Sequence, residues 1–138
     1  MGDLSGHVLQ LRVVVETEEF ERALEFYRDA LGMPEQAAFE GDGDARVAIL
    51  GAGHATLELV NAAQTRLIDD AEVGRASSPR IRIALEVEDA ASTTERLAEA
   101  GARLLGGPSI TPWHSKNARM EAPAGLQLTI FEELDPRT

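Results

Sequence analysis

The sequence of 138 residues contains no cysteine. This excludes disulfides, thiolate metal sites and cysteine nucleophiles. Lysine occurs once among thirteen basic residues, as Lys116, and the formal net charge is −11. Because nucleic-acid binding needs a basic surface, this balance argues against a nucleic-acid partner. The acidic balance favours either a cationic ligand or a soluble acidic surface, and the soluble surface is the simpler explanation.

Long hydrophobic runs are also missing. No apolar stretch is long enough to cross a bilayer, and no basic segment followed by an apolar one resembles a leader. We therefore predict a cytoplasmic protein with no membrane partner. The length fits one domain with a substantial core, so we assign residues 1–138 to a single domain.

Several catalytic motifs are absent as well. No glycine-rich phosphate loop leads into a helix, and no Gly-x-Ser-x-Gly elbow occurs. Nothing in the sequence pairs two carboxylates for acid–base chemistry. We therefore predict no catalytic residue.

The most informative feature that is present is an internal repeat. Residues 11–19 match residues 81–89 at a constant offset, and Arg12 and Arg82 are identical in the two copies. A repeat of this kind indicates two related structural units in one chain. Any polar group on the first copy therefore has a counterpart on the second.

Each copy of the repeat is followed by the same pattern of elements. Apolar residues at the spacing of one helical face predict a helix over 20–32 and another over 90–100. Three short runs bounded by turn residues follow each helix and are predicted to be strands. The sequence thus predicts an α+β fold of two strand-helix-three-strand modules. We place the first module at 8–61, a connector at 62–79 and the second module at 80–134.

Strand alternation indicates which residues share the face away from these two helices. Leu11, Val13 and Val15 must pack on the first helix, so the residues between them point the other way. The same reasoning applies to the other strands. We predict that a helix-free, mixed polar face carries Arg12, Glu16, Glu58, Arg82, Glu86, Gln127 and Thr129.

The chain resembles a known family at this point. The doubled module, the helix at 26–33 with its Phe-Tyr and Leu-Gly pairs, and the closing segment 123–128 look like the vicinal-oxygen-chelate superfamily. That superfamily includes glyoxalase I, extradiol dioxygenases, fosfomycin-resistance enzymes and bleomycin-resistance proteins. The resemblance covers about residues 8 to 134. It implies two βαβββ modules in a curled mixed sheet with a concave cleft, often within a homodimer.

The resemblance also implies four positions for metal ligands. Metal-dependent members carry a histidine on the first strand of each module and a carboxylate on the last strand. Those positions correspond here to Arg12, Glu58, Arg82 and Thr129. Only Glu58 is a usable ligand, because arginine keeps its positive charge. We therefore predict no metal and no other cofactor.

A relocated metal site is the alternative. The sequence contains His7, His54 and His114, and His54 has the same strand parity as Glu58. Metal binding would need these side chains to converge. All three are placed outside strands, so three surface histidines are the simpler explanation.

Two readings of the repeated arginines remain open. Arg12 and Arg82, with Glu58, form an ionic cluster that orients an anionic or carbonyl group of a ligand. Alternatively, they only pair with Glu16, Glu58 and Glu86 across the strands. The predicted ligand-binding residues are Arg12, Glu58, Arg82, Trp113, Thr129 and Phe131. Trp113 is included because an aromatic side chain can stack on a flat ligand.

These observations favour a metal-free small-molecule-binding protein similar to bleomycin-resistance proteins. Such a protein would sequester an antibiotic or related natural product in a homodimeric cleft. The alternative is an enzyme of the same superfamily, a lyase, dioxygenase or transferase, with a relocated metal or with an Arg/Glu site. The connector 62–79 either folds over the cleft or spans the distance between the modules, and the spanning role is favoured.

Overall fold

The structure is a computed structural model that describes residues 8–135. The strands are β1 (Gln10–Glu16), β2 (Glu35–Glu40), β3 (Arg46–Ala52), β4 (Ala55–Val60), β5 (Ile81–Glu86), β6 (Arg103–Ile110), β7 (Ser115–Ala122) and β8 (Leu126–Glu133). The helices are α1 (Phe20–Leu24), which continues as a π-helical segment (Glu25–Ala30), α2 (Ala62–Glu72) and α3 (Ala90–Glu99). None of the helices in this part of the chain is long and apolar enough to cross a membrane.

All eight strands belong to one mixed sheet with the order β2-β3-β4-β1-β5-β8-β7-β6. The two halves have the same topology, because β1 pairs in parallel with β4 and β5 pairs in parallel with β8. Antiparallel pairing of β1 with β5 joins the halves through the two copies of the repeat. The predicted α+β fold with a curled mixed sheet is confirmed.

The first and third helices cover one face of the sheet. Phe20 and Leu24 of α1 pack on Leu50 and Leu59, and Ala90 of α3 packs with its own cluster in the second half. That second cluster contains Val87, Met120 and Ile130. Strand alternation placed Val15 correctly against α1, whereas Leu11, which was expected to pack there too, is 37% exposed. Burial of these apolar side chains is the main favourable term in folding.

The opposite face is not helix-free, and that prediction was wrong. Helix α2, formed by the connector, lies on it, and Ile68 packs there among Val14, Phe131 and other apolar residues. The Asn61 side chain caps α2 by accepting a hydrogen bond from the Gln64 amide at 2.9 Å. The connector has little apolar periodicity of its own, so its packing on the sheet was not apparent from the sequence.

Candidate functional site

The four positions that the family resemblance singled out lie in two neighbouring rows of the sheet. Val14 of β1 is flanked by Glu58 on β4 and by Arg82 on β5. In the next row, Arg12 is opposite Ala84, and Ala84 is opposite Thr129 on β8. The strand registers therefore bring Arg12, Glu58, Arg82 and Thr129 to the same face, as predicted.

Four side chains lie around Arg12 and form with it what we call the Arg12 cluster: Gln10, Glu58, Phe131 and Thr56, whose hydroxyl donates to Gln10 Oε1. Arg12 Nε donates to Gln10 Oε1 at 2.7 Å, and Arg12 Nη1 lies 3.5 Å from Glu58 Oε1. The guanidinium carbon is 4.9 Å from the centre of the Phe131 ring, a cation–π distance. The Arg12 side chain retains 19% exposure. It is thus both positioned and accessible.

The second repeated arginine is in a different environment. Arg82 is buried, and its Nη1 donates to Thr129 Oγ1 at 2.8 Å. Burial lowers the pKa of Arg82, while the negative charge of Glu72 opposes the shift. Arg12 and Arg82 are therefore equivalent in the sequence repeat but differ in their exposure to solvent.

Glu72 reaches Thr129 from α2. It belongs to a larger group that we call the Arg119 network, formed by Asp69, Glu72, Asn117, Arg119 and Thr129. Thr129 Oγ1 donates to Glu72 Oε1 at 3.0 Å, and Asn117 Nδ2 donates to Glu72 Oε2 at 2.6 Å. Arg119 Nε donates to Glu72 Oε1 at 2.9 Å, and Arg119 Nη1 donates to Asp69 Oδ1 at 3.0 Å. The Arg119 guanidinium is thus paired with two buried carboxylates, which offsets much of the cost of burying these charges.

Asp69 is held as a carboxylate. Burial alone would raise its pKa, but hydrogen bonds from the Ser78 hydroxyl and from the Ser77 and Ser78 amides outweigh burial, and Arg119 adds its positive charge. The pKa of Asp69 is consequently lowered from its ordinary 3.8.

Four residues of this face were not among the predicted site residues: Asp69, Glu72, Asn117 and Arg119. Arg119 and Asn117 alternate on β7 and are register partners of Thr129 and Phe131, so strand parity could have placed them on this face. Asp69 and Glu72 could not be found from strand parity. They enter the site only because the connector folds back as α2.

The remaining predicted residues occupy separate places. Thr129 and Phe131 are buried on the sheet face where α2 packs, which we call the cleft face after the family expectation. Thr129 belongs to the Arg119 network and Phe131 to the Arg12 cluster. Trp113 lies in the turn between β6 and β7 and is 43% exposed. That turn is at the end of the sheet where β1 begins and β8 finishes.

The side chains do not fit the metal site that the family resemblance implies. Two of its four positions hold arginine and one holds threonine, and the Arg82 guanidinium donates a hydrogen bond where a ligand atom would be needed. Within residues 8–135, no three His, Cys, Asp or Glu side chains converge as a metal site would require. His54 and His114 lie in separate exposed turns, and His7 is outside the described residues.

Two surface depressions lie elsewhere. One of about 370 Å³ runs between α1 and β2 and is lined by Phe20, Phe39 and Arg46 among others, and the second borders the N-terminal ends of α1 and α2. Neither contains a predicted site residue. We favour the cleft face over these depressions because it carries the fixed charged groups.

The family model named Glyoxalase/Bleomycin resistance protein/Dioxygenase superfamily matches residues 7–130. No curated protein sequence matches the chain. Among solved structures, a hypothetical protein from Bacillus halodurans C-125 is 15% identical, with 95% of this chain and 96% of that one covered and a TM-score of 0.66.

Two further structures are similar in fold. Methylmalonyl-CoA epimerase from Mycobacterium tuberculosis is 21% identical, with 99% and 93% of the two chains covered and a TM-score of 0.63. A superfamily member from Vibrio splendidus 12B01 is 13% identical, with 89% and 97% covered and a TM-score of 0.60. Sequence identities this low show only a shared fold. The family model, in contrast, matches most of the chain and so shows the family. The chain therefore belongs to the Glyoxalase/Bleomycin resistance protein/Dioxygenase superfamily.

Proposed function

We propose that this chain is a metal-free small-molecule-binding protein whose ligand carries an anionic group bound by Arg12. The observation that supports this most directly is the state of the Arg12 side chain. Its guanidinium is oriented by Gln10, by the Phe131 ring and by Glu58 at 3.5 Å, and the Arg12 side chain is still 19% exposed. A positioned and accessible guanidinium can bind a carboxylate or phenolate through two hydrogen bonds.

The surroundings of Arg12 favour a ligand that combines an anionic group with an apolar body. The buried Phe131 ring packs beside the guanidinium and gives it an apolar environment. Exposed Trp113, at the same end of the sheet, offers a flat surface on which a ligand can stack. Sequestration of an antibiotic or related natural product, in a homodimer in the cytoplasm, is part of this proposal.

Replacement of Arg12 by alanine tests the proposal. Ligands are first sought by thermal shift and Trp113 fluorescence, with bleomycin, anionic aromatic natural products and methylmalonyl-CoA in the panel. Arg12→Ala is expected to weaken the affinity of any hit by about tenfold or more while costing only about 1 kcal/mol of stability. Arg12→Lys should also weaken binding, because an ammonium lacks the planar fork.

The matched control is Arg103→Ala, because Arg103 is an exposed arginine on β6. Affinity equal to that of the wild type in Arg12→Ala would contradict the role of Arg12. Turnover of methylmalonyl-CoA would contradict a purely binding function. Replacement of Arg82 is not a useful test of ligand binding, because Arg82 is buried and its removal would disturb the fold.

A further inference from the structure

Helix α2 buries charged as well as apolar side chains on the sheet. Of its three buried side chains, Ile68, Asp69 and Glu72, two are carboxylates. Ion pairs in a protein interior add little net stability compared with apolar packing, because both charges must leave water. A helix that served only to cover the sheet would bury apolar side chains at these positions.

The sheet beneath α2 requires an anion. Arg119 is fully buried, and Arg82 lies nearby with only 6% exposure. Two buried guanidinium groups without a negative partner would be very costly. Asp69 and Glu72 supply that charge, with Arg119 Nη1 3.0 Å from Asp69 Oδ1 and Arg119 Nη2 2.8 Å from Glu72 Oε1.

A glycine on the sheet permits the docking of α2. A Cβ added to Gly106 of β6 would lie 2.2 Å from the Glu72 carbonyl oxygen and 2.8 Å from Val73 Cα. Both are backbone atoms, so any side chain at this position would push the end of α2 away. The close fit is therefore specific to the end of α2 that carries Asp69 and Glu72.

We propose that Arg82, Asn117, Arg119 and Thr129 form an anion-binding subsite for a short dicarboxylate, and that α2 occupies it as an internal ligand. Two carboxylates contact one guanidinium at different nitrogens, which defines the chemical class. A dicarboxylate of similar reach competes with α2 and releases residues 62–80 from the sheet. This subsite is separate from Arg12 and goes beyond the proposed function.

Succinate is the probe, and Gly106→Ala is the main variant. The added methyl group disfavours docking of α2, so Gly106→Ala should bind succinate about tenfold more tightly than the wild type at equal ionic strength. Hydrogen exchange of amides 62–72 should be faster in the variant. Gly41→Ala is the matched control, because its Cβ makes only ordinary contacts with Leu67 Cδ1 at 3.6 Å and Ala45 Cβ at 3.7 Å.

Equal succinate affinity in Gly106→Ala, Gly41→Ala and the wild type would overturn the inference. A second variant, Glu72→Ala, is measured in parallel in case Gly106→Ala does not fold. It removes one carboxylate from Arg119, so acetate should raise its melting temperature by several degrees more than that of the wild type. Equal acetate shifts in the two proteins would also overturn the inference.

The two proposals fail in different ways. If Arg12 has no role in binding, Arg12→Ala leaves the affinity of every hit from the ligand panel unchanged. The succinate affinity of the double variant Arg12→Ala/Gly106→Ala should still equal that of Gly106→Ala. A loss of succinate binding in the double variant would instead show that Arg12 binds the dicarboxylate and that no separate subsite exists.

Discussion

Arg119→Ala is expected to lower the free energy of unfolding by about 3–5 kcal/mol. The side chain is fully buried, and its loss leaves the carboxylates of Asp69 and Glu72 without their positive partner in the protein interior. Because small domains are stable by only about 5–15 kcal/mol, this single change removes a large part of the total. Urea denaturation followed by circular dichroism measures it.

A double-mutant cycle shows whether the effect belongs to the Arg119 network. The loss of unfolding free energy in Arg119→Ala/Glu72→Ala should be smaller than the sum of the losses in the two single variants. Each single change leaves the buried charge of the other residue without its partner. Arg103→Ala, on an exposed arginine of β6, should change stability little. Additive effects of Arg119→Ala and Glu72→Ala would contradict a coupled network.

Acid is expected to destabilise the protein through Asp69. The pKa of Asp69 in the folded state is lowered from its ordinary 3.8 by hydrogen bonds that outweigh burial. The unfolded chain therefore binds this proton more readily than the folded one. The stabilisation is complete above pH 3.8 and is lost as the pH falls from there through the folded-state pKa, with a limiting slope of about 1.4 kcal/mol per pH unit.

Asp69→Asn isolates this contribution. At pH 7 the variant should be less stable than the wild type, and the gap between the two should close as the pH falls below 3.8. Asp70→Asn is the matched control, because Asp70 is the next residue of α2 and is exposed. A gap that stays constant with pH would contradict the role of Asp69, as would the same behaviour in Asp70→Asn.

The sequence predicted the sheet well because strands leave a local signal. The repeat at 11–19 and 81–89 gave the two modules, and its copies became the adjacent strands β1 and β5. Strand alternation then placed Arg12 and Arg82 on one face. Helix α2 escaped prediction, because it is stabilised by contacts with distant strands rather than by an apolar periodicity within the connector.

The candidate site was predictable only where it is built on strands. Arg12, Glu58, Arg82 and Thr129 followed from parity and from the family resemblance. The difference between an accessible Arg12 and a buried Arg82 did not follow, because it depends on α2. Glu72 of that helix accepts a hydrogen bond from Thr129, the hydrogen-bond partner of Arg82, and the position of α2 depends on tertiary packing. The role of Gly106 could not be predicted from the sequence either. It depends on the Glu72 carbonyl, which lies against Gly106 only in the folded structure.

Taken together, the cleft face contains fixed positive charge at positions where the superfamily's metal-dependent members are expected to hold metal ligands. The first arginine is partly exposed, whereas the second is buried and donates a hydrogen bond to Thr129. Anion binding without a metal is the chemistry that such groups support.

Metal analysis of untagged protein tests this claim most directly. The protein is incubated separately with zinc, iron(II), nickel and manganese, desalted, and measured by mass spectrometry of the metal content. The donor set of two arginines, one glutamate and one threonine predicts a metal content well below one ion per chain for every metal. One tightly bound ion per chain would contradict it.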